Sequence, residues 1–413
     1  MTRAYPIRGF LLFSKLSPHE QLWSIGFLLS IIGLAFSQAL FTITLYGLSI
    51  SVFIQQLQPS RPKFPLKSIV LLICPWLFVL VIPIIQGIVS SDMGTVFSMH
   101  RMHLILLPIL CLRLYTLSKE AKEFLLVSTL LISCVCAAIL LGKLLQEWSH
   151  IGKSIEKGKH IWVPNGQPKA TAILFVIAGI LGIHYSLSRQ ERSYYQIAAI
   201  VFLLCCVHAM TVRIAWGMLY LGVAFTLFRH FITRRQYKYL LVGILILLAT
   251  PFAIYHSIPS VQKRINYTLY DWSTLNKAGE INTSDALRVV SWDVGWKTFI
   301  KRPILGYGSE SMDKALNEQY TANYPQISRE NMLRPHNQFL FFALEYGLLG
   351  AFLSLIALGC LVWFFWRSNG VILWILFFLY CFIDSPFNRQ IIDAAFWYGL
   401  GFSMVFSKDS DAT

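Results

Sequence analysis

The chain has 413 residues, 56% of them hydrophobic and only 13% charged, with a mean hydropathy of +0.58. A soluble protein of this size carries about 25% charged residues, so a soluble globular enzyme is excluded and an all-α polytopic membrane protein is expected. The 35 basic and 20 acidic side chains leave a net charge of +15. In a soluble chain that excess points to nucleic acid; here the enrichment of Lys and Arg on the cytoplasmic side of membrane proteins accounts for much of it, and no nucleic-acid partner is expected.

A helix needs about 20 apolar residues to cross a bilayer core of about 30 Å. By that measure about twelve transmembrane helices are predicted, near 21–37, 39–56, 67–89, 99–116, 122–146, 169–187, 194–211, 213–230, 238–256, 337–366, 370–386 and 389–407. The first apolar stretch runs into the second without a small-residue cleavage site, so no removable leader is expected. Basic clusters fall between alternate spans: Arg61, Lys63 and Lys67; Arg113, Lys119 and Lys122; Arg189 and Arg192; Arg229, Arg234, Arg235 and Lys238; and Arg367. With Arg3, Arg8 and Lys15 ahead of the first span, every cluster lies on one side of an even-span arrangement. The positive-inside rule makes that side the cytoplasm and puts both termini there.

The other side then carries two longer segments. Residues 147–168 are short and basic. Residues 257–335, between spans nine and ten, show helical patterning such as "DALRVVSWDVGWKTFIKRPILGYG" and carry Trp272, Trp292 and Trp296, which suit a membrane interface. A connection of that length among short loops is expected to be functional. The organisation expected is a single membrane domain, 1–413, with 257–335 as an external subdomain inserted within it. Cys74, Cys111, Cys134, Cys136, Cys205, Cys206, Cys360 and Cys381 all fall in apolar runs, so no disulfide is expected.

The polar residues that could carry chemistry cluster on that external side. His336 heads the tenth span in "RPHNQFLFFALEYGLLG", behind Pro335, whose fixed φ sets the direction of the chain at a helix entrance. On position alone it is either an interfacial polar residue or a general base, since neutral imidazole accepts a proton near neutral pH. Gly347 and Gly350 share a helix face and permit close helix contact. Arg213, in "HAMTVRIAWG", stands at the membrane edge after an almost absent loop; it either snorkels or holds an anion. Arg288, in "SDALRVVSW", is either a solvated charge or a bidentate phosphate ligand. Arg101 and Lys169 are weaker candidates of the same kind. No acidic or His-rich cluster suggests a metal on the outside, and no Walker or dinucleotide motif is present. A reaction on that side, without ATP, needs a pre-activated donor.

These residues together resemble the bacterial O-antigen ligases, which share a superfamily with the O-antigen polymerases and O-linked oligosaccharyltransferases. His336-Asn337, nine residues, Gly347, two residues, Gly350 matches the signature His-[Asn/Ser/Gln]-x9-Gly-x-x-[Gly/Thr/Tyr]. "TVRIAWG" around Arg213 resembles the family's arginine segment, and Arg288, Trp292, Pro303, Gly306 and Gly308 resemble its loop segment, in the expected order. The resemblance implies a GT-C-like fold and a monomer in the bacterial inner membrane among its lipids. It implies transfer of O-antigen polysaccharide from undecaprenyl pyrophosphate to a sugar hydroxyl of lipid A–core, on the periplasmic face, inverting, with neither cofactor nor metal. His336, Arg213 and Arg288 take the catalytic positions, and Arg101, Lys169, Arg334 and Asn337 are candidates for substrate binding. A polymerase or an oligosaccharyltransferase uses the same donor with another acceptor. A transporter of lipid-linked glycan is the non-enzymatic alternative, but it predicts internal repeats and midplane charges, which the chain lacks.

Overall fold

The computed structural model describes residues 12–58, 64–90, 102–147, 161–188, 194–274, 283–366, 368 and 370–403. Every regular element among them is helical. α1 (Pro18–Phe36) and α2 (Gln38–Leu57) form a hairpin. Ser17 opens α1 with a capping box shared with Glu20. Ser37 ends α1 by donating its N–H to the Gly33 carbonyl, and its hydroxyl starts α2 by accepting from Leu40 N–H. α3 (Leu66–Leu72) passes through a 3-10 turn (Cys74–Leu77) into α4 (Phe78–Ser90), with a bend of 44°. Pro75 within the turn has no N–H to continue the ladder, so the predicted third span is broken.

There follow α5 (His103–Tyr115), α6 (Lys119–Gln146), α7 (Pro168–Ser188), α8 (Tyr194–Ala209), α9 (Arg213–Thr233) and α10 (Tyr237–Ser257). The segment predicted to be external folds as α11 (Pro259–Thr274), α12 (Ser284–Phe299), α13 (Gly308–Asn323) and a short 3-10 turn (Arg329–Asn331). α14 (Gln338–Phe365), α15 (Gly370–Ile383) and α16 (Gln390–Ser403) complete the described chain. α7 is the axis. It is apolar on all sides and buried from Lys169 to Gly182, as a helix without a polar face must be. It packs against α6, α8, α9 and α16, with Ile177 on Gly399 and Ile180 on Gly222. α10 is its opposite: it packs against α9 and α11 and buries none of its residues.

Each of the twelve predicted spans coincides with a helix or a bent helix pair. Among the described residues, seven helices are long and apolar enough to cross a membrane, and the bent pair makes up to eight. α5, α8 and α15 are apolar but have only 13, 16 and 14 residues, and α16 has 14. At about 1.5 Å per residue such helices fall short of a bilayer core of about 30 Å, so length alone does not bear out a count of twelve.

α14, predicted as one unbroken helix, is kinked. Gly347 has φ 72° and ψ −171°, a conformation that costs any other residue about 1–3 kcal/mol. The loop after α12 enters the break. Leu348 N–H donates to the Pro303 carbonyl at 2.7 Å, and Tyr307 N–H donates to the Leu344 carbonyl at 2.8 Å. Backbone groups released by the kink are thus paired again. Gln86 of α4 donates to both the Glu345 and the Leu305 carbonyls. A Cβ on Gly347 would lie 1.9 Å from the Ile304 oxygen, and one on Gly306 (φ 70°) would lie 2.6 Å from the Gly347 nitrogen. The bend also turns Gly350 onto its own helix: a Cβ there would lie 2.1 Å from Tyr346 Cβ. So the two glycines of the signature do not form one smooth face for a neighbouring helix; Gly347 receives loop backbone and Gly350 accommodates the kink.

Gly347→Ala therefore combines the conformational cost of about 1–3 kcal/mol with a main-chain clash, and it should lower the unfolding temperature of the detergent-purified protein sharply. Gly359, on the same helix, has open space around it, and Gly359→Ala should leave stability unchanged or raise it by up to about 1 kcal/mol. Equal behaviour of the two variants would remove the kink from the account.

Candidate active site

The starts of α7 and α9 and the end of α15 meet, together with α11 and α12, around a cavity of about 320 Å³, and His336, just ahead of α14, joins it through Asp384. Lys169, Arg213, Arg264, Arg288, Asp285 and Asp384 line it. The chain reaches Arg213 through a tight turn in which Thr211 has φ 56°, an outlier for a β-branched residue. Thr211 N–H donates to the His208 carbonyl at 3.0 Å. That turn makes Arg213 the first residue of α9.

Asp285 draws the arginines together. Arg213 holds its carboxylate side-on through two hydrogen bonds of 2.6 Å, and Arg288 Nη1 donates to the same Oδ1 at 2.9 Å. Thr268 of α11 accepts from Arg213 at 3.4 Å, and the Asp271 carboxylate accepts the Asp285 backbone N–H at 3.1 Å. Burial opposes ionisation of Asp285, but Arg213, Arg288 and Arg264 outweigh it and hold its carboxyl below the usual carboxylate range. Bidentate pairing fixes the plane of a guanidinium, so Arg213 is held at a set angle on the cavity wall, with Arg288 tied beside it by one bond to the same carboxylate.

His336 is fixed at three points. Its N–H donates to the Ser291 hydroxyl at 3.4 Å, its carbonyl accepts the Trp292 indole N–H at 2.9 Å, and its Nδ1 lies 2.8 Å from Asp384 Oδ1. Pro335 before it packs against Gly295 of α12. Because a carboxylate only accepts, Nδ1 carries a proton, and in the neutral form of the ring this tautomer leaves the lone pair on Nε2. An acid that orients a histidine in this way prepares it as a general base. Asp384 itself is 6% exposed. Its Oδ2 accepts from Lys169 Nζ, and Ser385 N–H donates to its Oδ1 at 2.9 Å. The loop that follows is clamped from both sides: Gln338 Oε1 accepts Phe387 N–H at 2.9 Å, and His103 Nε2 lies 3.0 Å from the Phe387 carbonyl.

The structure thus brings together His336, Arg213, Arg288 and Lys169 of the predicted residues. Asn337 caps α14, accepting Leu340 N–H at 3.0 Å, and its amide donates to the Phe382 carbonyl at 3.3 Å. Arg334 turns away and pairs with Asp313 on α13, where both side chains are about half exposed, at 48% and 46%. Arg101 lies outside the described residues. Sequence reasoning missed Asp285, Asp384 and Arg264. An acid closing an apolar span, as in "CFIDSP", was the available signal for Asp384. Among the described residues, no three or more His, Cys, Asp or Glu side chains group as a metal site.

Several helices long and apolar enough to span a bilayer, with a cavity lined by cations where helix ends meet, give the chain the character of a multi-pass membrane protein. A family model described as O-antigen ligase matches residues 198–355, so this part of the chain is similar to that family. The matched region holds Arg213, Arg264, Asp285, Arg288 and His336, while Lys169 and Asp384 lie outside it. No curated protein matches the chain.

Breaking a buried ion pair leaves an uncompensated charge, at a cost of about 3–5 kcal/mol, whereas replacing both partners by apolar groups is often neutral. Asp384→Leu should therefore destabilise the protein by an amount of that order, and Lys169→Met with Asp384→Leu should restore most of the loss, read as unfolding temperatures in detergent. A single variant as stable as the wild type would mean that Lys169 does not depend on Asp384.

Proposed function

We propose that the protein is a lipid-linked glycan transferase that moves O-antigen polysaccharide from undecaprenyl pyrophosphate to a sugar hydroxyl of lipid A–core, on the periplasmic face of the bacterial inner membrane, with both termini cytoplasmic. The observation that carries this reading is a carboxylate-oriented histidine beside a cavity walled by arginines. The family match supports glycan transfer as the class of reaction.

Arg213 and Arg288 bind the donor pyrophosphate and neutralise the charge that grows on it in the transition state. His336 Nε2 takes the proton of the acceptor hydroxyl as its oxygen attacks the anomeric carbon. The bond from that carbon to the phosphate oxygen breaks, undecaprenyl pyrophosphate leaves with the electron pair, and the anomeric configuration inverts. The charge is met by guanidinium groups, so the step needs no metal. A largely apolar cavity of about 590 Å³ between α8, α9 and α10 takes in Leu219 and Tyr220. These lie within a turn of Gly217, which lines the cationic cavity, and the apolar space suits the start of the isoprenoid chain.

A polymerase uses the same donor but a glycan acceptor, and a gel of cellular lipopolysaccharide separates the two. Deleting the gene should remove the ladder while long undecaprenyl-linked chains persist. Survival of a band with a single repeat would instead assign polymerase activity.

His336→Ala should lower transfer by on the order of 10²–10⁴-fold, the range of general-base catalysis, at unchanged expression and unfolding temperature. Near-normal transfer by a folded His336→Ala protein would refute the role. For the arginines, each Arg→Ala should cost on the order of a hundredfold in rate. Arg→Lys should lose much of that as well, because Lys keeps the charge and loses the fork. Since both share one carboxylate and, in this reading, one ligand, a double-mutant cycle on transfer should be non-additive. Strictly additive losses would place the two arginines in separate roles.

A further inference from the structure

Four cations line the cavity, and three of them hold carboxylates: Lys169 holds Asp384, while Arg213 and Arg288 hold Asp285. Arg264, on α11, is different. It is 2% exposed, and its Nε and Nη1 have no hydrogen-bond partner among the described residues. Its guanidinium lies over the Tyr267 ring, 5.4 Å from the centroid, a contact that uses the face of the group and leaves the N–H edge unused. Burial, then the neighbouring charge of Arg213, pushes Arg264 down to about 10, so the side chain is still charged at neutral pH. An unpaired buried charge is costly, and one without a partner among the described residues, beside a cavity, is placed to take an anionic ligand. The four cations face two carboxylates, Asp285 and Asp384. Asp271, whose carboxylate accepts the Asp285 N–H, is a third acid in the cluster, so among the described residues the cations still outnumber the carboxylates, as an anionic ligand such as a pyrophosphate diester requires.

We propose that Arg264 is a third pyrophosphate ligand, which uses its free N–H edge to hold a phosphoryl group of the donor that Arg213 and Arg288 also bind. This rests on the transferase reading of the same cavity and adds to it a residue outside the sequence motifs. With two arginines already committed to Asp285, Arg264 supplies donor groups that need not be taken from an internal carboxylate. It binds the ligand and performs no proton transfer.

The test is the affinity of full-length protein in detergent for inorganic pyrophosphate, by calorimetry, together with the unfolding temperature of the ligand-free protein. Arg264→Gln should weaken binding by about tenfold or more, since a hydrogen bond to a charged group is worth about 1.5–3 kcal/mol. It should leave the ligand-free unfolding temperature unchanged or raised, because a buried unpaired charge is removed. A merely structural arginine gives the reverse: a lower unfolding temperature and unaltered affinity, which overturns the proposal. If Arg264→Gln does not fold, Arg264→Lys decides by the same readout, and wild-type affinity in that variant overturns it. Weakening by Arg213→Gln and Arg288→Gln but not by Arg264→Gln removes this proposal alone. A wild-type protein that binds no pyrophosphate removes the anion-site reading for all three arginines.

Discussion

A buried carboxylate is stable only when its charge is met on every side, and Asp384 meets that condition by drawing three helices together. It closes α15, takes the Lys169 ammonium from the start of α7 and holds the His336 ring ahead of α14. The central helix α7, the kinked helix and the loop beyond α15 are thereby set against one another at one point. Lys169 serves the architecture and the chemistry at once: it balances the charge of the group that orients the histidine. A site on three rigid helix ends keeps its geometry better than one carried on loops.

The second half of the cavity follows the same logic with the charges reversed. Around Asp285 the cations outnumber the acids, and the helices α9, α11 and α12 are joined through a single carboxylate and its neighbours. Arginine suits this role because its fork can face a carboxylate and a phosphate with the same geometry. The cationic wall is therefore held in shape by the protein's own carboxylates, and the cost of assembling like charges is met during folding.

Much of this was legible in the amino-acid sequence, and the gaps have physical causes. Apolar runs located every helix of the bundle, because burial and lipid both select for them. They did not reveal where a run breaks: Pro75 and Gly347 interrupt the backbone inside stretches whose hydrophobicity is continuous. The Gly347 conformation depends on a loop some 40 residues earlier, which sequence periodicity cannot report. His336 stood out by its place at a helix entrance, Arg213 by its place at a membrane edge, and Arg288 and Lys169 as cations suited to a phosphate. Their acidic partners were overlooked because Asp285 and Asp384 read as ordinary charges at helix ends. Arg334 and Asn337 are engaged elsewhere. Asn337 has extended backbone (φ −155°, ψ 119°), so its side chain and that of the adjacent His336 point to opposite sides and it caps α14, while Asp313 draws the Arg334 guanidinium to α13.

The contact between the 303–307 segment and the kink of α14 is made by main-chain atoms. Pro303 and Leu305 contribute carbonyl oxygens, and the Ile304 side chain is 72% exposed. Mutational drift at positions 304 and 305 is therefore nearly free of consequence for the joint, whereas Gly306 and Gly347 must persist together. Any exchange there has to be simultaneous, and a single-step path through an alanine at either position is closed by sterics rather than by chemistry.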